Sequence, residues 1–400
     1  MPEKQTTIDF AFNLHTNTRC GEGKATQLHH YLNEFGCTKP GIIVDSSIMN
    51  LPYVQQVLHG VNQERSLQPH IWEYDLGAEP DYDSLDRVKE FFIDAEGIPV
   101  VDCFVGIGGG SAIDFAKGLA TVTVNPGRSI TYKGFPRGLN RSLPTIAIPT
   151  TAGTGSEVTY NAVFIDRAAG KKLGINTMNN FPALAILDPL LTLTCPPSVT
   201  ASSGMDALVH TMESYVAQQA NPMSRIFAKE AFKLIFNSLF KVADEPGNIE
   251  VRAKLQFGAY LAGISLINSG SGPAGALSYP LGVHFNVPHG LAGAVFLPHI
   301  VEHNVRNGYD YSELYDLIDG ADISLPREAK NACFVERFFE LGNKLKIPTN
   351  LAAFGVNREN IDPLLNEIDS LERAFSQNPI PFTVEDGKRL VRKMITWEDL

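Results

Sequence analysis

Val105-Gly106-Ile107-Gly108-Gly109-Gly110-Ser111-Ala112-Ile113-Asp114-Phe115-Ala116-Lys117 passes from a short β-type run through consecutive glycines into a helical pattern. Glycine lacks Cβ, so the bend can take up positive φ and let a ligand come close to the backbone. The following helix, expected to start at Ser111, presents free amides and the positive end of its dipole, a setting for a pyrophosphate. A plainer reading makes Ser111 an N-cap completed by Asp114. The glycine spacing is not a strict G-x-G-x-x-G, so the bend alone does not establish an ordinary dinucleotide fold.

The sequence on either side supports such a fold. Between about residues 40 and 190, β-rich runs alternate with helical patterns. The runs are Gly41-Ile42-Ile43-Val44, Val101–Ile107, Pro144–Pro149 and Leu184-Ala185-Ile186-Leu187. Alternation of this kind predicts parallel strands with crossover helices, an open Rossmann-like sheet. Segments 159–165 and 171–176, around the turn Ala168-Ala169-Gly170, are expected to form an added hairpin. A second small, polar turn follows the 144–149 run: Thr150-Thr151-Ala152-Gly153-Thr154-Gly155-Ser156-Glu157. Two such turns at the C-terminal ends of parallel strands converge where open α/β sheets bind ligands.

Past Cys195-Pro196-Pro197 the pattern becomes helical over Ser203–Ala217, Pro222–Ala243 and Ile249–Ser269. The expected division is an α/β domain over 1–196 and an all-helical domain over 197–400, with the cleft between them as the site.

The bulk properties narrow the function. The 400 residues suit two domains, and 44% apolar with 19% charged residues suits a packed globular protein. A net charge of −11 disfavours nucleic acid or an acidic membrane as partner. Met1–Thr7 contains no apolar leader core, and no apolar run is long enough to span a bilayer. Five scattered cysteines without a CxxC pair point to reduced thiols, hence to the cytoplasm.

In the second half, Asp206 and His210 lie four apart on an expected helix and therefore share a face. A carboxylate and an imidazole suit Fe²⁺ or Zn²⁺, although for the pair taken alone an ordinary i,i+4 hydrogen bond is the favoured reading. Pro288-His289-Gly290 brings another histidine to a helix start. His299 and His303 are also four apart but lack a carboxylate, and are read as packing and surface residues.

Together, Gly108–Lys117, Pro149–Thr159, Asp206-Ala207-Leu208-Val209-His210 and Pro288-His289-Gly290 resemble the iron-containing (group III) alcohol dehydrogenases, in order and spacing, over about residues 8–310. The resemblance implies the two-domain architecture shared with dehydroquinate synthase. It also implies a metal-dependent oxidoreductase passing hydride between NAD(P) and a primary alcohol or aldehyde. Gly109, Gly110 and Ser111 would hold the pyrophosphate, with Asp114 beside the nicotinamide end. Thr150 and Thr151 would contact the cofactor and Lys172 its ribose. Asp206, His210 and His289 would be metal ligands, and a homodimer is implied.

Two positions depart from the family pattern. Gly275 stands where a further histidine ligand is usual, and Tyr279 stands where a proton-relaying histidine is common. Three readings follow: three protein ligands plus water, recruitment of His284, or weak metal binding. Tyr279 or His284 would relay the proton. Asp45, at the end of the first strand, could bond a ribose 2′-hydroxyl and favour NAD over NADP. Lys133 and Arg137 could meet an acid group on a small aldehyde, or be solvated. Two rival functions are an NAD-using cyclase or lyase like dehydroquinate synthase, and a metal-less nucleotide-binding protein.

Overall fold

The computed structural model describes residues 9–75 and 80–395, so the N-terminal stretch Met1–Thr7 lies outside it. Six parallel strands make the main sheet: β1 Asn17–Cys20, β2 Pro40–Asp45, β3 His70–Tyr74, β4 Cys103–Gly108, β5 Thr145–Pro149 and, after four short strands, β10 Leu184–Leu187. Their order is β1-β10-β5-β4-β2-β3, and the register aligns Val105 with Ile42 and with Ile146. Side chains alternate between the faces of a strand. Ile42, Val44, Val105 and Ile107 therefore pack on one side, with α1 (Leu28–Glu34) and α3 (Pro52–Gln63); a short α2 (Ser46–Met49) lies between these helices in the chain. Ile43 and Phe104 pack on the other side, with α4 (Tyr82–Lys89) and α5 (Gly110–Val122).

The expected strands at 41–44, 101–107, 144–149 and 184–187 correspond to β2, β4, β5 and β10. The expected hairpin is present as β6 (Asn161–Ala162) on β9 (Ile175–Asn176) and β7 (Ile165–Asp166) on β8 (Lys171–Lys172), both antiparallel.

From Pro197 onward the described chain is helical: α6 Pro197–Val216, α7 Pro222–Val242, α8 Ile249–Ile267, α9 Pro273–Phe285, α10 His289–Arg306, α11 Ser312–Tyr315, α12 Arg327–Lys344, α13 Asp362–Ile368, α14 Glu372–Phe375 and α15 Val384–Lys393. Pro196 and Pro197 open α6 rather than only ending what precedes it, because proline at the first helical position gives up no needed N–H. In α7, Asn221 and Ser224 form a reciprocal capping box. None of the described helices is long and apolar enough to cross a membrane.

The two halves are joined along α8. Gln256 Nε2 donates to Pro149 O at 3.1 Å, and Tyr260 and Thr18 share a 2.6 Å hydrogen bond. A Cβ on Gly155 would come within 2.6 Å of Gly263 Cα, so α8 crosses the second polar turn with backbones nearly touching.

Candidate active site

A cleft of about 470 Å³ lies between the halves, lined among others by Gly110, Ser111, Asp206, His210, Tyr279 and His289. On the sheet side, β4 ends at Gly108, and α5 begins at Gly110 with Gly109 at its N-cap and no side chain capping it. The helix thus starts one residue earlier than expected. Gly108 has φ +156°, and a Cβ there would meet Ala112 Cβ at 2.8 Å and Asp45 Cβ at 3.0 Å. A Cβ on Gly110 would lie 2.5 Å from Thr154 Oγ1. The bend therefore needs glycine for its close approach to Asp45, Ala112 and Thr154, and the first residues of α5, Gly110 and Ser111, line the cleft with no side-chain cap.

Asp114 does not complete a cap. It accepts from Val163 N at 2.9 Å and from the Ser156 hydroxyl, and it pairs with Lys117 Nζ at 3.4 Å. Lys117, wholly buried, also donates to Ser156 Oγ at 2.7 Å and Asn161 O at 2.9 Å. Burial pushes the Asp114 carboxyl up and the Lys117 ammonium down, each partly countered by the other. Asp114, which also lines the cleft, ties the first polar turn to the second and to the hairpin. In the same turn Glu157 is buried, which pushes its pKa up to about 7.

The remaining nucleotide-side candidates spread along the sheet edge. Thr150 N donates to Gly108 O at 2.9 Å. Thr150 also lines a second, apolar cavity of about 300 Å³ with Ile48, Leu51 and Leu191. Asp45 caps α2, accepting from Ser47 N and Oγ at 2.9 and 2.7 Å, beside Gly108. Thr151 lies 3.6 Å from where a Gly109 Cβ would be. Lys172 reaches over the main cleft to α9, its Nζ 3.4 Å from where a Gly282 Cβ would be.

On the helical side, Asp206, His210 and His289 each offer a donor atom within 4.8 Å of the others. His210 Nε2 and His289 Nε2 each lie 3.8 Å from Asp206 Oδ1. That is too long for hydrogen bonds but close to the separation of about 3.4 Å that ligands around a tetrahedral cation adopt. His210 Nδ1 is buried with no hydrogen-bond partner. Two imidazoles and a carboxylate gathered in this way fit a borderline divalent cation.

The structure does not bring His284 to these donors. Its Nε2 pairs at 2.9 Å with Glu367 of α13, because the end of α9 turns its side chain toward that helix. Recruitment of His284 to replace the ligand missing at Gly275 is thus not what the fold does. Lys133 is likewise engaged elsewhere, with Asp166 at 2.6 Å. Tyr279 does line the cleft, its ring 4.9 Å from that of His289.

Two residues absent from the sequence reading act behind the donors. Glu213 lies on the same helix as Asp206 and His210, three residues beyond His210. It accepts from Gly272 N at 2.7 Å, Gly275 N at 3.0 Å and Ser271 Oγ at 2.9 Å, capping α9 from outside. Burial raises its carboxyl, and the three hydrogen bonds oppose that rise. A Cβ on Gly275 would lie 2.8 Å from Glu213 Oε2, so the carboxylate fills the space where a side chain would begin. Ser278, fully buried on α9, bonds His289 Nδ1 at 2.7 Å. The 4-3 spacing of 206, 210 and 213 could have revealed Glu213; Ser278 has no such signal.

A cleft with a phosphate-type helix start on one wall and a carboxylate–imidazole cluster on the other narrows the chain's relatives considerably. The family model for iron-containing alcohol dehydrogenases matches residues 15–189, and the model for the C-terminal part of the Fe-containing alcohol dehydrogenase family matches 200–395. The chain belongs to the iron-containing alcohol dehydrogenase family. It is an oxidoreductase of the alcohol dehydrogenase class. Long-chain-alcohol dehydrogenase 1 of Geobacillus thermodenitrificans is 32% identical over 92% of both chains. The NAD-dependent methanol dehydrogenase of Bacillus methanolicus is 30% identical, over 94% of this chain and 97% of its own. Among solved structures, the sulfoacetaldehyde reductase of Bifidobacterium kashiwanohense in complex with NAD+ superposes with a TM-score of 0.85 at 25% identity, covering 98% of this chain and all of that one.

Proposed function

We propose that this enzyme passes hydride between NAD and a primary alcohol or aldehyde in the cleft between residues 1–196 and 197–400. The observation that carries the proposal is the shared cleft: the uncapped start of α5 and the Asp206–His210–His289 cluster line one cavity. When bound, the divalent cation (Fe²⁺ or Zn²⁺) polarises the substrate oxygen while the nicotinamide gives or takes the hydride.

The chain's own residues do the rest. Amides at Gly110 and Ser111 receive the pyrophosphate, and Gly109 lets it approach the bend. The apolar cavity beside Thr150 takes the adenine end, and Asp45 meets the ribose hydroxyls, which favours NAD over NADP. Lys172 reaches the nicotinamide-side ribose, with Thr151 behind the bend. Asp206, His210 and His289 hold the cation through three protein donors, leaving a position open for substrate. Tyr279, in the cleft beside His289, relays the substrate proton to or from solvent, its hydroxyl releasing one proton as it takes up the other.

The substrate is a small, neutral alcohol or aldehyde. Lys133 is committed to Asp166, which leaves Lys172 as the one lysine or arginine among the described lining residues, where Gln219, Asn161 and Ser271 supply neutral polar groups. A small aldehyde carrying an acid group, as the sulfoacetaldehyde reductase relative acts on, is the rival substrate. A homodimer in the cytoplasm is also proposed, the latter supported by five free thiols. Elemental analysis of the purified enzyme, with absorbance at 340 nm over a panel of neutral and anionic alcohols and aldehydes, tests the proposal. Steady NADH formation and about one bound cation per chain are expected. Consumption of substrate with no net NADH would replace it by the cyclase or lyase chemistry of dehydroquinate synthase.

A further inference from the structure

Helix α9 supplies no donor to the cation site, since Gly275 has no side chain, yet it touches that site through Ser278. The Ser278 hydroxyl carries one hydrogen, and that hydrogen goes to Gly275 O at 2.5 Å. A carbonyl only accepts, so the serine must be the donor in this bond. Toward His289 Nδ1, at 2.7 Å, its oxygen can then only accept. Nδ1 therefore carries the imidazole proton, and a neutral ring leaves Nε2 with its lone pair. Nε2 is the atom that faces Asp206 Oδ1 at 3.8 Å.

We infer that Ser278 is a positioning residue that locks His289 in the tautomer and ring orientation needed to bind the cation, so that α9 organises the site without ligating it. The inference rests on the metal-dependent reading above, but its geometry stands in the metal-free protein. The lock is anchored from α6. Glu213 accepts the amides of Gly272 and Gly275 and so fixes the first turn of α9, which carries the carbonyl that receives the Ser278 proton. Asp206, His210 and Glu213 all belong to α6, so one helix holds two donors directly and the third through α9. His210 has no counterpart to this lock, its Nδ1 being buried and unpartnered. His289 is thus the donor whose geometry is set in advance. Outer partners of ligating histidines of this kind typically change metal affinity about 10–100-fold when removed.

The test uses full-length protein stripped of metal and labelled with ¹⁵N-histidine, together with Co²⁺ titration followed by visible absorption. In the wild-type protein the His289 spectrum should show a proton on Nδ1 and a bare Nε2 before any metal is added. Ser278→Ala should lose that single tautomer and bind Co²⁺ about 10–100-fold more weakly, while Ser278→Thr, which keeps the hydroxyl, should restore the wild-type spectrum. A wild-type His289 protonated on Nε2, or a Ser278→Ala protein with wild-type Co²⁺ affinity, overturns the inference. Should Ser278→Ala not fold, the wild-type spectrum decides alone. If the wild-type protein takes up no Co²⁺, the metal-dependent reading fails instead, and the tautomer spectrum still judges the role of Ser278.

Discussion

The two walls of the cleft are built from different materials. On the sheet side the proposed ligand surface is backbone: amides at the start of α5, held in place by glycines that allow two turns to touch. On the helical side it is three side chains from two helices, oriented by a few buried hydrogen bonds. A backbone surface tolerates most substitutions as long as its glycines remain, because every residue except proline supplies an N–H. A side-chain surface can lose a donor with one residue, because only particular side chains carry one.

The contrast is sharpest at His210. His210→Ala removes one of the three proposed donors and should abolish bound metal and lower kcat/KM by about three orders of magnitude, several kcal/mol of barrier. Metal content and steady-state kinetics check it, and near-normal turnover would break the asymmetry. On the other wall, Gly110→Ala should cost about 1–3 kcal/mol of stability or cofactor affinity, since the new methyl meets Thr154 Oγ1 at 2.5 Å. Cofactor titration by fluorescence, with thermal unfolding, reads both.

A third prediction concerns the buried acid in the second polar turn. The pKa of Glu157 is raised to about 7 in the folded chain from an ordinary 4.5. A raised carboxyl favours the protonated form, so its contribution to stability is highest below the unfolded value. It falls as pH rises from about 4.5 to about 7 and is flat above that. Glu157→Gln should therefore unfold later than wild type at pH 8, by about 1–3 kcal/mol, and lose that advantage near pH 5. Urea unfolding at the two pH values tests this, and an advantage that is the same at both would count against it. The smallest effect belongs to His284→Gln. It breaks a partly exposed pair with Glu367 and should cost about 0.5 kcal/mol while leaving metal content and kcat alone.

Much of the sheet-side wall was legible from the chain. The runs at 41–44, 101–107, 144–149 and 184–187 became β2, β4, β5 and β10 because interior parallel strands are buried on both faces and so read as unbroken apolar stretches. The edge strands β1 and β3 went unread for the converse reason. Asn17–Cys20 is half exposed, and His70–Tyr74 mixes polar with aromatic residues, so neither forms an apolar run. Asp206 and His210 were visible as a pair because i,i+4 spacing fixes a shared face, whereas His289, on another helix, joined them only through the family resemblance. What could not be read was the support behind it. Ser278, Glu213 and the Lys117–Ser156 link act through contacts between elements distant in sequence, and His284 looked available until α13 was in place.

The pairing of β1 with β10 has a consequence for how the molecule comes into being. Asn17 has no neighbour in the sheet until Leu184 has been synthesised, so the earliest of the described strands is among the last to be seated. During translation the growing sheet must hold an open flank at β5 for as long as the intervening hairpin takes to emerge. A chain released before Leu187 would carry that flank unsealed, with Ile146 and Ile148 next to it, and would be prone to stick to its own copies.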